Sequence, residues 1–350
     1  MELSIYFENL QQRINADTEN RIAKEWLSFA DCQLKEGYFL PTRPKSEPSI
    51  VWPNVNINDC IDNLDMMIYQ QLKGISDVLK NGKGDILAVR PNYGTGIIAS
   101  MYGSEIFIMP YKTNTLPCTK KLPNTKAAIK HIIDEGCMDF SKAFAGRTFN
   151  FAERWLELSQ PYESLKNHIY LYAPDLQGPF PIAEMLWGAD IYKDIIDEPK
   201  TVHEAVAFFA DVILAFLKKY RTLYPPFDEF HSVDLGMLFR GGIIIRNDAL
   251  MNISGDMYRE LIQSEDQRIL DAFGGGFHFC GKGDHYIKHL TQLKGISLVD
   301  MTQPEYNDME YIYQNTIDKG IVLTSITEAE AKRAIASGRN LRGRVYCRIW

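Results

Sequence analysis

GFHFCGKGDHYIKHLTQLKGISLVDM, residues 276–301, is the stretch on which the fold turns. It opens on a short apolar run, passes through a Gly-Lys-Gly turn, and continues with Tyr286, Ile287, Leu290 and Leu293 at helical spacing. A second apolar run, 296–301, closes it. Strand, helix and strand in such quick succession form the βα unit of a parallel sheet.

The same alternation extends outward in both directions. From Asp85 onward, runs rich in Ile, Val, Leu and Phe predict strands over 86–90, 105–109, 168–173, 233–239, 276–280, 296–301, 321–324 and 344–350. Helices are expected between them over 125–135, 149–158, 202–223, 255–273, 285–293, 306–319 and 328–337. Eight strands with intervening helices predict an α/β fold, a (β/α)8 TIM barrel over 85–350. Residues 1–84 have helical spacing over 14–30 and 56–80 around a proline-rich break at 41–53, which predicts an N-terminal helical extension packed on the barrel as one structural unit. Within SVDLGMLFRGGIIIRND, 232–248, one strand or two can be drawn. With the last strand running to residue 350, the place of an eighth helix falls to the N-terminal helices or to a second copy of the chain, a homodimer.

Composition narrows the function classes. Hydrophobic residues make up 45% and charged residues 24%, the balance of a globular protein. No uncharged apolar run approaches the roughly 18 to 20 residues that span a bilayer, and the opening MELSIYFENLQQR is too polar for a signal peptide, so a cytoplasmic protein is expected. The net charge of −7 and the scattered basic residues offer no stripe for a phosphate backbone, which argues against nucleic acid as a partner. In a reducing compartment Cys32, Cys60, Cys118, Cys137, Cys280 and Cys347 are expected as thiols.

In such a barrel the chemistry gathers at the carboxyl ends of the strands. That rule nominates Arg90, Asn92 and Tyr93, then Asp175 and Gln177, Arg240, Arg246 and Asp248, then His278, Cys280, Asp284 and His285, and finally Asp300, Gln303 and Cys347. Among these, His278 and Cys280 share one face of a strand, so an imidazole and a thiolate converge. Gly281 and Gly283 then turn the backbone away. A borderline-soft cation such as Zn²⁺ suits an N/S pair, and a catalytic site takes three protein ligands and leaves a fourth position open. Cys347 could supply a third ligand from the last strand. Asp284 and His285 are candidates for acid, base or ligand-orienting roles, and Asp284 equally for a helix cap. The arginines at the strand ends can clamp a carboxylate or phosphate of a small-molecule substrate, and Asp175, Gln177 and Gln303 can bind its polar groups.

Three segments carry a family resemblance: APDLQGPFPIAEMLWGADIYKDIIDEPKTVHEAVAFFADVILAFLKKY (173–220), DALMNISGDMYREL (248–261) and FHFCGKGDHYI (277–287). Together with the order of elements from Asp85 on, they resemble the uroporphyrinogen decarboxylase superfamily. The match to the zinc-dependent methyltransferases that pass a methyl group from a corrinoid to a thiol such as coenzyme M falls on His278, Cys280 and Cys347. The match to the porphyrin decarboxylases is poorer: of their arginine-rich motif only Arg90 is present, their essential Asp falls on Glu105, which becomes a catalytic candidate, their Tyr falls near Met185, and their late His has no counterpart in VYCRIW. The resemblance thus implies a zinc-dependent methyltransferase, with a methylcorrinoid carried by a separate protein because the chain has no corrinoid-binding domain. Two alternatives stand beside it: a metal-free decarboxylase or lyase acting on a small carboxylate, and a non-catalytic protein that binds a corrinoid partner.

Overall fold

The computed structural model describes residues 2–348. Its strands are β1 (Ala88–Val89), β2 (Ile106–Phe107), β3 (Cys118–Thr119), β4 (Tyr170–Leu171), β5 (His231–Asp234), β6 (Met237–Arg240), β7 (Ile243–Arg246), β8 (Gly275–Phe279), β9 (Ile296–Met301), β10 (Val322–Ile326) and β11 (Val345–Cys347). Five of them make a parallel sheet in the order β11-β10-β9-β8-β7, and β1 and β4 pair in parallel beside it. A parallel bridge from Gln177 to Arg246 ties the segment after β4 to β7, and another from Phe39 to Tyr346 ties the N-terminal segment to β11. The molecule is therefore an α/β protein built on parallel strands with helical crossovers. Among the described residues no ladder joins β1 to β11.

Two expected strands take other forms. Residues 105–109 fall in the antiparallel ribbon β2–β3, with Ile106 opposite Thr119. Phe107 and Ile108 are 40% and 42% exposed there, whereas a parallel strand is buried on both faces. Residues 233–239 fold back on themselves as the hairpin β5–β6, because Leu235 and Gly236 adopt φ +47° and +77°, the left-handed turn that joins antiparallel strands tightly. The parallel strand of that region is β7, so SVDLGMLFRGGIIIRND holds more than one strand. The expected helix over 255–273 breaks at Ile262 into Gly255–Leu261 and Gln263–Phe273. Residues 349–350 of the expected last strand lie outside the described residues.

Register explains how the sheet divides its side chains. Ile244, Gly276, Leu298 and Val322 stand opposite one another across β7 to β10. The apolar members of this row pack with Tyr346, with Val233 and Leu238 of the hairpin, and with Trp26 and Phe29 of the N-terminal helix Ala16–Ala30. We call this the inner face. Trp26 also donates through Nε1 to the Gly84 carbonyl at 2.8 Å, so the polar atom of this buried indole is satisfied where its ring packs on the inner row. Gly276 is required in the row, since a Cβ there would lie 2.7 Å from the Leu298 carbonyl oxygen. The alternate row, Ile245, Phe277, Val299, Leu323 and Val345, belongs to a second cluster with Phe209 and Phe216 of the helix Pro199–Tyr220. This is the outer face. At about 1.5 to 3 kcal/mol for each large apolar side chain removed from water, these two rows fix which residues look inward at the ends of the strands.

Candidate metal centre

One step further along the strands the inner row turns polar. Arg246, His278, Asp300 and Thr324 stand in register on β7, β8, β9 and β10. Asp300 is 1% exposed, and its carboxylate takes a 2.7 Å hydrogen bond from Nδ1 of His278 and a 2.8 Å bond from the Thr324 hydroxyl. Burial alone raises the Asp300 pKa. The bond from His278 and its positive charge outweigh burial and hold this carboxyl below the usual range. The same pairing acts on the imidazole. Burial lowers its pKa, but the bonds to Asp300 and Cys280 and the charges of Asp300 and Asp248 raise it to about 10.

With Nδ1 committed to Asp300, Nε2 faces the strand end. Cys280 Sγ lies 3.4 Å from it and the Asp248 Oδ1 3.6 Å from it. One ligand atom from each of Asp248, His278 and Cys280 falls within 4.8 Å of the others. Asp248 is held in place by the Cys280 N–H, which donates to Oδ1 at 3.0 Å, and by Gln177 Nε2, which donates to Oδ2 at 3.3 Å. The Thr302 hydroxyl oxygen lies 3.3 Å from Cys280 Sγ. Gln303 accepts through Oε1 from the Gly281 N–H and the Thr302 hydroxyl, which fixes the turn after β8.

These donors fit a divalent cation. A carboxylate, a thiolate and an imidazole together carry two negative charges, and the Nε2 proton of the cation-free imidazole lies where the three converge. A Zn²⁺ in place of that proton balances the charge, and the O/N/S set is within its usual choice of ligands.

The structure gathers some of the expected site residues and disperses others. His278 and Cys280 are together as the strand alternation requires. Arg90, Asn92, Asp175, Gln177, Arg246 and Gln303 lie around them: Arg90 contacts Asp175 at 3.3 Å and Asn92 at 3.1 Å. Arg246 is buried between Asp175 at 3.0 Å and Asp234 at 2.6 Å. Burial pushes the Asp175 pKa up, but the two arginines prevail and keep it low.

Cys347 is not brought to the centre. It shares a face with Val345, as its spacing implies, but that face is the outer one, and Cys347 is fully buried in the helix-facing cluster while Tyr346 points inward. Burial, together with the Glu328 charge, pushes its thiol up to about 12. Asp248, rather than Cys347, is the third group placed with His278 and Cys280 where a metal ion could be held. Its signal was only its position after a strand.

Asp284 begins the helix Asp284–Leu290, and its Oδ2 accepts from the Asp308 N–H at 3.1 Å, tying two loops. His285 Nε2 bonds the Ile253 carbonyl at 2.9 Å. Tyr93 is buried and stacks on Phe144 at 5.4 Å. Glu105 is exposed on the β2–β3 ribbon and pairs with Lys120 at 2.6 Å. Arg240 lies before β7, at the amino end of the sheet, where it pairs with Asp31 at 2.9 Å. No described helix is long and apolar enough to cross a membrane.

No protein-family model matches the chain, and no curated protein matches it either. Among solved structures, it is similar to a methyltransferase from Methanosarcina mazei, with a TM-score of 0.61, 13% identity, and coverage of 90% of this chain and 88% of that one. At that identity the likeness is one of fold.

Proposed function

We propose that the chain is a metal-dependent methyltransferase on a (β/α)8-type barrel, with Asp248, His278 and Cys280 as ligands of a Zn²⁺. The observation that carries the proposal is the convergence of these three ligand atoms within 4.8 Å at the carboxyl end of the sheet, with a buried carboxylate behind the imidazole. The shared fold with a methyltransferase supports it. When bound, Zn²⁺ supplies the charge that keeps a thiol ionised near neutral pH, and the thiolate is the nucleophilic form.

The chain's own residues do the rest. Asp300 holds the proton on Nδ1 and so presents Nε2 as a ligand. Gln177 and the Cys280 N–H orient Asp248. Asp248, His278 and Cys280 would hold the ion, which would lend its charge to a substrate thiol. Arg90, held by Asp175 at 3.3 Å and Asn92 at 3.1 Å, offers a cation to an acidic group on the acceptor. The methyl donor is a methylcorrinoid carried by a separate protein.

The test uses methylcobalamin as donor and a panel of small thiols. Zinc-loaded protein should transfer the methyl group to at least one thiol, with demethylation followed in the visible spectrum, and the Cys280→Ala variant should not. Equal rates for the two proteins would refute the proposal.

A further inference from the structure

Behind Asp248 a fully buried acid has no cation to pair with among the described residues. Asp266, on the helix Gln263–Phe273, is 0% exposed, and its Oδ2 accepts from Asn247 Nδ2 at 2.9 Å and from the Tyr258 hydroxyl at 3.2 Å. Its other oxygen, Oδ1, is buried with no donor among the described residues, and so is Oδ1 of Asn247. An ionised carboxylate in this place would leave a charge unpaired and two oxygens unsatisfied, each at a cost comparable to a lost hydrogen bond or more.

We propose that Asp266 is a neutral carboxylic acid that donates its proton to Asn247 Oδ1, closing a two-bond acid–amide ring that positions the turn carrying Asp248. One proton satisfies both orphaned oxygens and removes the buried charge. The surroundings favour it. Glu265, beside it on the same helix, is negative and engaged with Arg268 at 2.6 Å and His203 at 3.9 Å. From the helix Gly255–Leu261 comes Tyr258, and from Asp284–Leu290 comes Tyr286, its ring tilted against that of Tyr258 with centroids 6.0 Å apart; both are neutral. Burial, with a small contribution from Glu265 and against the hydrogen bonds of Tyr258 and Asn247, lifts the acid to about 8. The ring matters for the centre because Asn247 is also bound through its N–H to the His278 carbonyl at 2.9 Å, so it locks the end of β7 to β8 immediately before Asp248. Asp266 is thus a positioning residue for the ligand set of the proposed metal centre.

Two metal-free measurements test it, so it stands or falls apart from the zinc assignment. The infrared spectrum of the wild type should show the carbonyl band of a protonated carboxyl at neutral pH, titrating near pH 8 and missing from Asp266→Asn. In denaturant unfolding, a folded-state pKa above the ordinary Asp value makes the wild type lose stability as pH rises from about 4 to about 8. The asparagine variant keeps a neutral amide–amide ring and escapes this loss. Its midpoint should therefore gain on the wild type across that window and level off above it. Absence of the band, or a gap between the two midpoints that does not widen with pH, would overturn the proposal. If the variant does not fold, the wild-type band alone decides.

Discussion

Nδ1 of His278 donates to Asp300 at 2.7 Å across a register pair of β8 and β9, and this bond decides which imidazole nitrogen meets Cys280. A ring free to flip would present either nitrogen. The buried carboxylate leaves Nε2 facing Cys280, free to serve as the proposed ligand, and makes it a stronger base.

Asp300→Asn should therefore weaken zinc binding by roughly 10 to 100-fold without unfolding the protein. Competition against a chromophoric chelator, with circular dichroism as the control for folding, measures this. Unchanged affinity would show that the pair does not orient a ligand.

The pH dependence follows from the same pair. In cation-free protein His278 keeps its proton to about pH 10, so its contribution to stability is present below its ordinary value of 6.5 and fades as pH rises through about 10. Zinc must displace that proton. Binding should strengthen with pH through the neutral range by about tenfold per unit for each proton displaced. Calorimetry in two buffers of different ionisation heat should find at least one proton released per zinc; none released would contradict the assignment of His278.

Cys347→Ser should leave zinc affinity unchanged and lower stability by about 1 to 3 kcal/mol, because it places a hydroxyl in the apolar outer cluster. Denaturant unfolding and zinc titration of the same preparation give both values. A loss of zinc affinity would return Cys347 to the ligand set.

Gly178→Ala tests the turn from the other side. A Cβ at Gly178 would lie 2.1 Å from Asn247 Oδ1, so the carboxamide must move and strain its bond to Asp266, the contact proposed to hold the turn that carries Asp248. Lower stability and weaker zinc binding are expected together, by unfolding and titration. A variant with both properties of the wild type would mean that the turn does not control the ligand.

The sequence made the βα units legible because their apolar runs are bounded by glycines and followed by helical spacing, as in 276–301. It made His278 and Cys280 legible as a pair because strand alternation is local. What it hid was register. Whether Cys347 points inward depends on Tyr346 meeting Trp26, Phe39 and Phe29, residues more than 300 positions away in the chain. Asp248 and Asp300 were visible only as strand-end residues, since their convergence on His278 is set by ladders between strands. The hairpin β5–β6 was masked by apolar runs on both sides of Leu235–Gly236, where Leu holds a left-handed φ that its residue type does not advertise.

Elemental analysis of the purified protein, before and after dialysis against zinc, is the most direct test of the metal centre. The wild type should hold about one zinc per chain, while His278→Ala, Cys280→Ala and Asp248→Ala lose most of it and stay folded. A folded wild-type protein with reduced, accessible Cys280 that takes up no zinc after dialysis would contradict the assignment of Asp248, His278 and Cys280 as a metal site.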